Sequence, residues 1–467
     1  MTTIETDYLV VGAGASGMAF VDTLITERPA DVVMVDRRHA PGGHWVDSYP
    51  FVRLHQPSAN YGVNSRALGM DSIDTTGPNA GFYEQATGIE IRDYYQDVLD
   101  EHLLPSGRVR FYGMHDYIGD WTRGHAITSR LTGRTTTVKV RRKLVDSTYL
   151  AMQLPGTHTR PFSVEEDARV IPVGDLVDVT DAPSGYTIIG SGKTGSDAVN
   201  WLVQNGVDPD RIRWIKPREP WLFDRAAFQP RDLVAQSFEA LSYDVEALAE
   251  AENLKDLFAR LEAHIRLVRV DPTVTPTMFR GATLSRTERE ELEQISNVVR
   301  LGKVRHVGAD RIVLDGGEIP TNRRHVHVDC SAYGLGPAPA RPVFEPGRII
   351  IQTLMGGFVT FNAALLGYIE GTRDDDAEKN RLCEPVAPPS RDVDWITMMC
   401  GGFRSFAVHA AERDIAEWMS TSRLNLTVGL SQHVHDPRVQ AAIGRYGSNM
   451  EAALKNGERL YAKAQAA

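Results

Sequence analysis

Twice in 467 residues the chain runs an apolar strand into a G-x-G-x-x-G turn, then a helical segment, then a second apolar strand. The first copy spans Asp7 to Asp36, with Gly12-Ala13-Gly14-Ala15-Ser16-Gly17 at its turn, a helical run to Thr26 and a return strand over Val32 to Asp36. The second spans Tyr186 to Arg218, with Gly190-Ser191-Gly192-Lys193-Thr194-Gly195, a helical run to Gln204 and a return strand over Ile212 to Lys216. The pattern is informative when it follows a strand and opens a helix, and both copies do. The expected class is therefore α/β, with two Rossmann-like dinucleotide-binding domains. The Lys-Thr pair of the second turn does not make an ATP-hydrolysing loop, because the G-x-x-x-x-G-K-[ST] spacing is absent.

In the first copy Gly12 permits the tight turn, Gly14 lets backbone approach a pyrophosphate, and Gly17 lets the helix pack against the strand. The anion then sits at the helix N-terminus, beside Ala15 and Ser16, where free N–H groups and the helix dipole favour it. Asp36, closing the return strand, suits the two hydroxyls of an adenosine ribose, and Arg37 follows it in the same site. The second return strand ends in Lys216-Pro217-Arg218-Glu219-Pro220-Trp221, with no acid directly at the ribose position. Lys216 and Arg218 there suit the 2′-phosphate of NADPH. Arg218 is the stronger candidate, because its planar fork pairs phosphate through two hydrogen bonds. Glu219 leaves NADH open, and a solvated surface pair is the plain alternative for both bases.

Between the two units, Arg108–Tyr112, Ala126–Leu131 and Thr135–Arg141 read as a small antiparallel meander, followed by a short buried strand at Lys143–Asp146. From Asp232 to Val270 the pattern is helical, with Leu254, Leu257, Phe258, Leu261 and Ile265 on one face. Ser285 to Glu288 reads as a capping box. His325–Cys330 and Arg348–Gln352 read as strands, and Gly356-Gly357 precedes a helix through Ile369. The expected organisation is a first nucleotide unit over 1–180 with its meander near 108–141, and a second unit over 181–324 carrying a helical insertion near 232–300. The first unit then returns over 325–384, so that the second is inserted into it, and 385–467 forms a helical C-terminal region. The insertion reads as a substrate lid, a partner surface or a packing element.

The net charge is −10 and there is no long basic run, which disfavours nucleic acid as a partner. The longest apolar stretch, Phe358 to Ile369, falls short of the roughly 20 residues of a membrane span. Tyr8 to Val11 reads as a buried strand, not as part of a leader, so a cytoplasmic protein is expected. Cys330, Cys383 and Cys400 form no C-x-x-C pair and read as reduced thiols. His325/His327 and His433/His435 are each two apart, which on a strand puts both rings on one side. Neither pair has a third ligand at a useful spacing, so no metal site is expected.

Beyond Asp36 come Pro41-Gly42-Gly43-His44-Trp45, then Tyr49-Pro50, then Arg53-Leu54-His55-Gln56-Pro57-Ser58-Ala59-Asn60-Tyr61. This run, after an N-terminal G-x-G-x-x-G, resembles the G-G-x-W, Y-P-x-x-R and S-x-x-Y signatures of class B flavoprotein monooxygenases, the group of flavin-containing and Baeyer–Villiger monooxygenases. The matching residues are Gly42, Gly43, Trp45, Tyr49, Pro50, Arg53, Ser58 and Tyr61. The resemblance implies FAD along Gly12 to Asp36, with its ring near Gly43, His44, Trp45, His55, Gln56 and Tyr61, and NADPH on the second unit, where Lys216 to Trp221 is similar to the group's R-x-P-x-W segment. The stretch Val328-Asp329-Cys330-Ser331-Ala332 resembles the strand end that many two-dinucleotide flavoproteins place under the cofactor, and in that reading Cys330 is packing, not a nucleophile. The group's F-x-G-x-x-x-H order is absent from 154–173. His55 stands where the group carries an acid.

The resemblance implies an oxidoreductase in which NADPH reduces the flavin and O₂ then forms a flavin hydroperoxide that oxygenates a small organic substrate. His55 is the candidate catalytic residue. An imidazole of ordinary pKa, about 6.5, holds or releases a proton at working pH and could hydrogen-bond the oxygen adduct; the alternative is a loop histidine bonded to backbone. A reductase, dehydrogenase or halogenase on the same scaffold, or a nucleotide-binding redox sensor, are the rival readings. Neither substrate nor oligomeric state is legible.

Overall fold

The computed structural model describes residues 2–120, 124–150, 152–154, 156–336 and 338–466. Its first sheet runs Arg348–Ile350, Thr135–Asp146, Thr2–Val11, Val32–Val35, Val109–Tyr112, all parallel. Tyr8 lies opposite Val32, and Val11 opposite both Val35 and Asp146. All four residues of Val32–Val35 are buried, as expected of a strand covered on both faces. Helix Ala15–Glu27 packs against helix Val359–Thr372, which is buried almost all round. The approach is close: a Cβ on Gly367 would come 2.6 Å from the carbonyl oxygen of Phe20.

Two expectations for this region change. Val109–Tyr112 is the parallel edge of the main sheet, not part of the meander, which consists of His115–Tyr117, His125–Ser129 and the start of Thr135–Asp146. Lys143–Asp146 is the end of that same long strand, bent at a register shift opposite Thr6 and Tyr8. One strand thus serves the meander with its first half and the parallel sheet along its length.

The second sheet runs Asn297–Val299, Ile212–Ile215, Gly185–Ile189, His325–Asp329, Val170–Pro172, again all parallel. His325–Asp329 therefore pairs beside the strand that leads into the second Gly turn, and does not open the returning half of the first unit. Val170–Pro172, expected within the first unit, is also a strand of this sheet. The periodicity of a buried strand says that it is central, but not to which sheet it belongs.

The expected insertion holds helices Val234–Glu250 and Leu254–Ala263, and the long helix Pro437–Gln465 lies along the first of these. Together they enclose an apolar core of their own, where Trp221 stacks on Phe258 at 5.1 Å and Trp395 meets Phe258 edge-on. Asn456 closes the C-terminal end of Val234–Glu250, donating to the carbonyl oxygens of Leu248 and Ala251 at 2.8 Å. The helices of the insertion pack into this core. Ile265 does not extend the apolar face of its helix: the helix ends at Ala263, and Ile265 is 62% exposed with φ +53°. The capping box at Ser285 and Glu288 is present.

Among the described residues no helix is long and apolar enough to cross a membrane, and no three His, Cys, Asp or Glu residues gather as metal ligands. The rings of His325 and His327 lie 5.5 Å apart. His433 ends a short 3-10 turn, so the His433/His435 pair is not on a strand. All three cysteines are buried.

Candidate active site

The first Gly turn is built on close backbone approaches. Gly12 has φ +99°, and a Cβ there would meet Ser147 Oγ at 2.6 Å; one on Gly17 would lie 2.2 Å from the carbonyl oxygen of Gly12. Gly43, with φ +60°, lies so close that its Cβ would come 2.7 Å from Gly14 Cα. The helix that follows has no side-chain cap and no acid in its first turn, so the N–H groups at Ala15, Ser16 and Gly17 stay free for an anion. Asp36 is buried, and its carboxylate accepts from the N–H of Ala13 (2.7 Å) and of Arg38 (2.8 Å). Arg37 is exposed; Arg38 is the arginine that turns to the rim, where it pairs with Asp47 at 2.5 Å.

In the downstream loop, the Trp45 indole donates to Tyr61 Oη at 2.7 Å, and both rings are buried. The Gln56 amide donates to the carbonyl oxygen of Asn60 at 2.9 Å, which occupies it within its own loop. Burial, reinforced by the charge of Arg38, pushes His44 down to about 4. Burial and the charges of Lys193 and Arg225 push His55 down to about 3. The expectation of a His55 that exchanges a proton near neutral pH is therefore corrected: its imidazole is neutral there and offers one N–H. Its carbonyl accepts from Thr283 Oγ1 at 2.6 Å, while its ring makes no hydrogen bond among the described residues.

The second Gly turn repeats these approaches. Gly190 has φ +129° with the carbonyl oxygen of Cys330 2.5 Å from a would-be Cβ, and Gly195 stands equally close to Gly190. Trp214 Nε1 donates to the Gly190 carbonyl at 2.8 Å. Helix Lys193–Gln204 again starts without a side-chain cap. Ser191 is buried and Thr194 half-buried at the turn, and Lys193 pairs with Asp197 one helical turn on. Tyr49, from the first unit, donates its phenol to Asp197 at 2.6 Å, so a side chain that follows the G-G-x-W loop reaches the helix of the second Gly turn.

Of the two bases expected at the 2′-phosphate, the structure keeps one free. Lys216 is buried, pairs with Glu219 at 2.5 Å and lies 4.4 Å over the Trp214 ring, with its pKa lowered by burial. Glu219 also holds Arg300 at 2.8 Å. Arg218 is half-buried without a hydrogen bond or ion pair among the described residues, and its charge bears on Arg280. Arg280 lies 4.1 Å over the Tyr333 ring, and its Nε is buried without an acceptor. Arg280 also donates through Nη1 to the carbonyl oxygen of Tyr333, and neither arginine pairs with a carboxylate among the described residues. Nothing in the local sequence marks Arg280 or Tyr333, because they come from strand Met278–Leu284 and from the segment after His325–Asp329.

No protein-family profile matches the chain. The uncharacterized protein Rv2000 of Mycobacterium tuberculosis is 44% identical over 443 residues, covering 94% of this chain and 81% of the relative, and the uncharacterized protein Mb2023 of Mycobacterium bovis matches equally. The chain belongs to the family of these mycobacterial proteins. Among solved structures it is similar to a cyclohexanone monooxygenase from Rhodococcus sp. Phi1 bound to NADP+ (14% identity, 98% of each chain, TM-score 0.47). It is also similar to the polycyclic ketone monooxygenase of Thermothelomyces thermophila (12% identity, 96% of this chain and 90% of that one, TM-score 0.48). A flavin-containing monooxygenase from Stenotrophomonas maltophilia shares 13% identity over 82% of this chain and all of that one, with TM-score 0.43.

Proposed function

We propose that this protein is an FAD- and NADPH-dependent oxidoreductase, a single-component monooxygenase that acts on a small organic substrate with O₂. The observation that carries this reading is the Tyr49–Asp197 hydrogen bond, which brings the G-G-x-W loop of one dinucleotide unit against the Gly-turn helix of the other. Two uncapped helix N-termini so joined suit a hydride donor and acceptor that must meet.

The residues around the first turn fit FAD. The Gly14–Gly43 approach leaves backbone and no side chain along the path of a pyrophosphate, and Asp36 keeps acceptor capacity beside it. At the second turn Gly192 stands open, and Arg218 with Arg280 would take the 2′-phosphate, which favours NADPH over NADH. Bound FAD supplies the redox chemistry and the activation of O₂. The residues that would hold the flavin ring include the Trp45–Tyr61 pair, and the neutral imidazole of His55 would offer it a hydrogen-bond donor.

The test is purification with FAD, followed by NADPH and O₂ consumption across a panel of ketones, sulfides and amines. Matched consumption without peroxide release supports the monooxygenase. NADPH oxidation that ends in peroxide for every substrate, or that needs no O₂, supports a reductase or dehydrogenase. Absence of bound flavin overturns the reading.

A further inference from the structure

Lys193 is the first residue of the helix opened by the second Gly turn, and it is the one cation in that turn. Its ammonium does not point toward the helix N-terminus, where an anion would sit. It reaches one turn along the helix to Oδ1 of Asp197. The other oxygen, Oδ2, accepts the phenol of Tyr49 from the first unit at 2.6 Å. The three side chains are largely withdrawn from solvent: Tyr49 is 8% exposed, and the side chains of Lys193 and Asp197 are 10% and 12% exposed.

An exposed i,i+4 ion pair contributes little. This one is sheltered, and its carboxylate is shared with a donor from another unit, which makes it a stronger, charge-assisted contact. The sharing has a cost for ligand binding. A lysine at the start of a Gly-turn helix would otherwise add a full positive charge to the free N–H groups that favour a pyrophosphate. Held by Asp197, that charge is already neutralised. What the arrangement secures is alignment. Asp197 fixes Tyr49, and Tyr49 follows the Gly42-Gly43-His44-Trp45 turn that lies on the first Gly turn.

We propose that Asp197 is a positioning residue: it withholds Lys193 from the anion site of the second Gly turn and, through Tyr49, locks that turn onto the first unit, so that the protein gives up dinucleotide affinity for a fixed geometry between the two sites. This rests on the two-dinucleotide reading above. A bound pyrophosphate and Asp197 compete for one ammonium, and the phenol holds Asp197 in place during that competition.

The test uses the full chain loaded with FAD, under anaerobic conditions. Binding of NADP+ is followed by calorimetric titration, and flavin reduction by saturating NADPH is followed by rapid mixing. Asp197→Ala frees Lys193, so NADP+ binds roughly three- to tenfold tighter, while flavin reduction slows about ten- to a hundredfold because the reacting atoms are no longer held in line. Adding Lys193→Met to Asp197→Ala removes the gain in affinity. Tyr49→Phe leaves NADP+ affinity within about twofold and still slows reduction by about tenfold. A merely structural role for Asp197 would weaken binding and never tighten it. If Asp197→Ala does not fold, Asp197→Asn serves the affinity arm and Tyr49→Phe the alignment arm. Weakened or unchanged NADP+ binding on loss of the carboxylate, or wild-type reduction by Tyr49→Phe, overturns the proposal. A wild-type protein that binds neither FAD nor NADP+ defeats the functional reading and this proposal with it. One that binds both, with variants indistinguishable from it, defeats the positioning role alone.

Discussion

The two Gly turns start their helices from nearly the same backbone: Gly14 has φ −77° and ψ −178°, and Gly192 has φ −78° and ψ −178°. Their surroundings differ. A Cβ on Gly14 would lie 3.4 Å from Gly43 Cα, whereas nothing lies within 4 Å of one on Gly192. The first turn is roofed by a loop of its own unit; the second is open. The acid of the first site, Asp36, is tied into its turn through the N–H of Ala13, while neither arginine of the second makes a hydrogen bond to its turn among the described residues. One motif therefore sets one backbone, and the neighbours decide how enclosed its ligand becomes. A roofed site suits a group that stays, and an open one suits a group that exchanges in each turnover.

The sharpest break of this contrast is at the roof. Gly43→Ala forces a side chain onto a residue at φ +60° and within 2.7 Å of Gly14 Cα. We expect at least about a tenfold loss of bound flavin, read from visible absorbance, since strain and clash together cost several kcal/mol. Gly192→Ala should retain wild-type flavin content; equal flavin loss in both variants would erase the distinction.

At the open turn the fold tolerates more than the ligand does. Gly192→Val should change the melting temperature little, because its side chain enters free space. It should weaken NADP+ binding by about tenfold or more, because that space is the backbone's approach to a pyrophosphate. Undiminished binding in calorimetry would mean that the anion does not sit there.

The phosphate arginines come next. Arg218→Ala and Arg280→Ala should each shift the NADPH-over-NADH preference by roughly ten- to a hundredfold, the worth of one charge-assisted hydrogen bond at about 1.5–3 kcal/mol. Lys216→Ala should leave the preference unchanged and lower stability, because Glu219 keeps only Arg300 as partner. A coenzyme switch in Lys216→Ala would reverse these assignments.

The smallest effect concerns acid. His44 and His55 are pushed to about 4 and about 3. As pH falls below about 6.5 the unfolded chain takes up protons that the folded chain refuses, so stability is lost from there down toward the folded values. Each group contributes at most about 1.4 kcal/mol per pH unit, and less where it is partly solvated. His55→Gln should flatten the decline in urea-unfolding free energy between pH 7 and pH 5; an unaltered slope would place that imidazole in contact with water.

Much of the first unit was legible because its signals are local. Gly12, Gly14, Gly17 and Asp36 lie within one βαβ unit, and backbone sterics alone dictate where a residue without Cβ is needed. The hydrogen bond from the Gln56 amide to Asn60 was not legible, since nothing in the local sequence specifies it. Lys216 was misjudged for the same reason: it reads as an exposed base, and burial beside Trp214 and Glu219 turns it into a core ion pair. His55 was read beside the flavin as a group that exchanges a proton near neutral pH; its lowered pKa could not be foreseen, because it depends on desolvation and on Lys193 and Arg225, which are distant in sequence.

By itself, the sequence determined the two βαβ units, their Gly turns and the acid and arginine that end the return strands, because propensity, periodicity and turn sterics act over a few residues. Only the tertiary structure decided that His325–Asp329 completes the second sheet, that Arg280 joins Arg218, and that Asp197 links Lys193 to Tyr49. Those outcomes depend on which surfaces meet when strands far apart in the chain pair and helices cover them, and on the water excluded as they do.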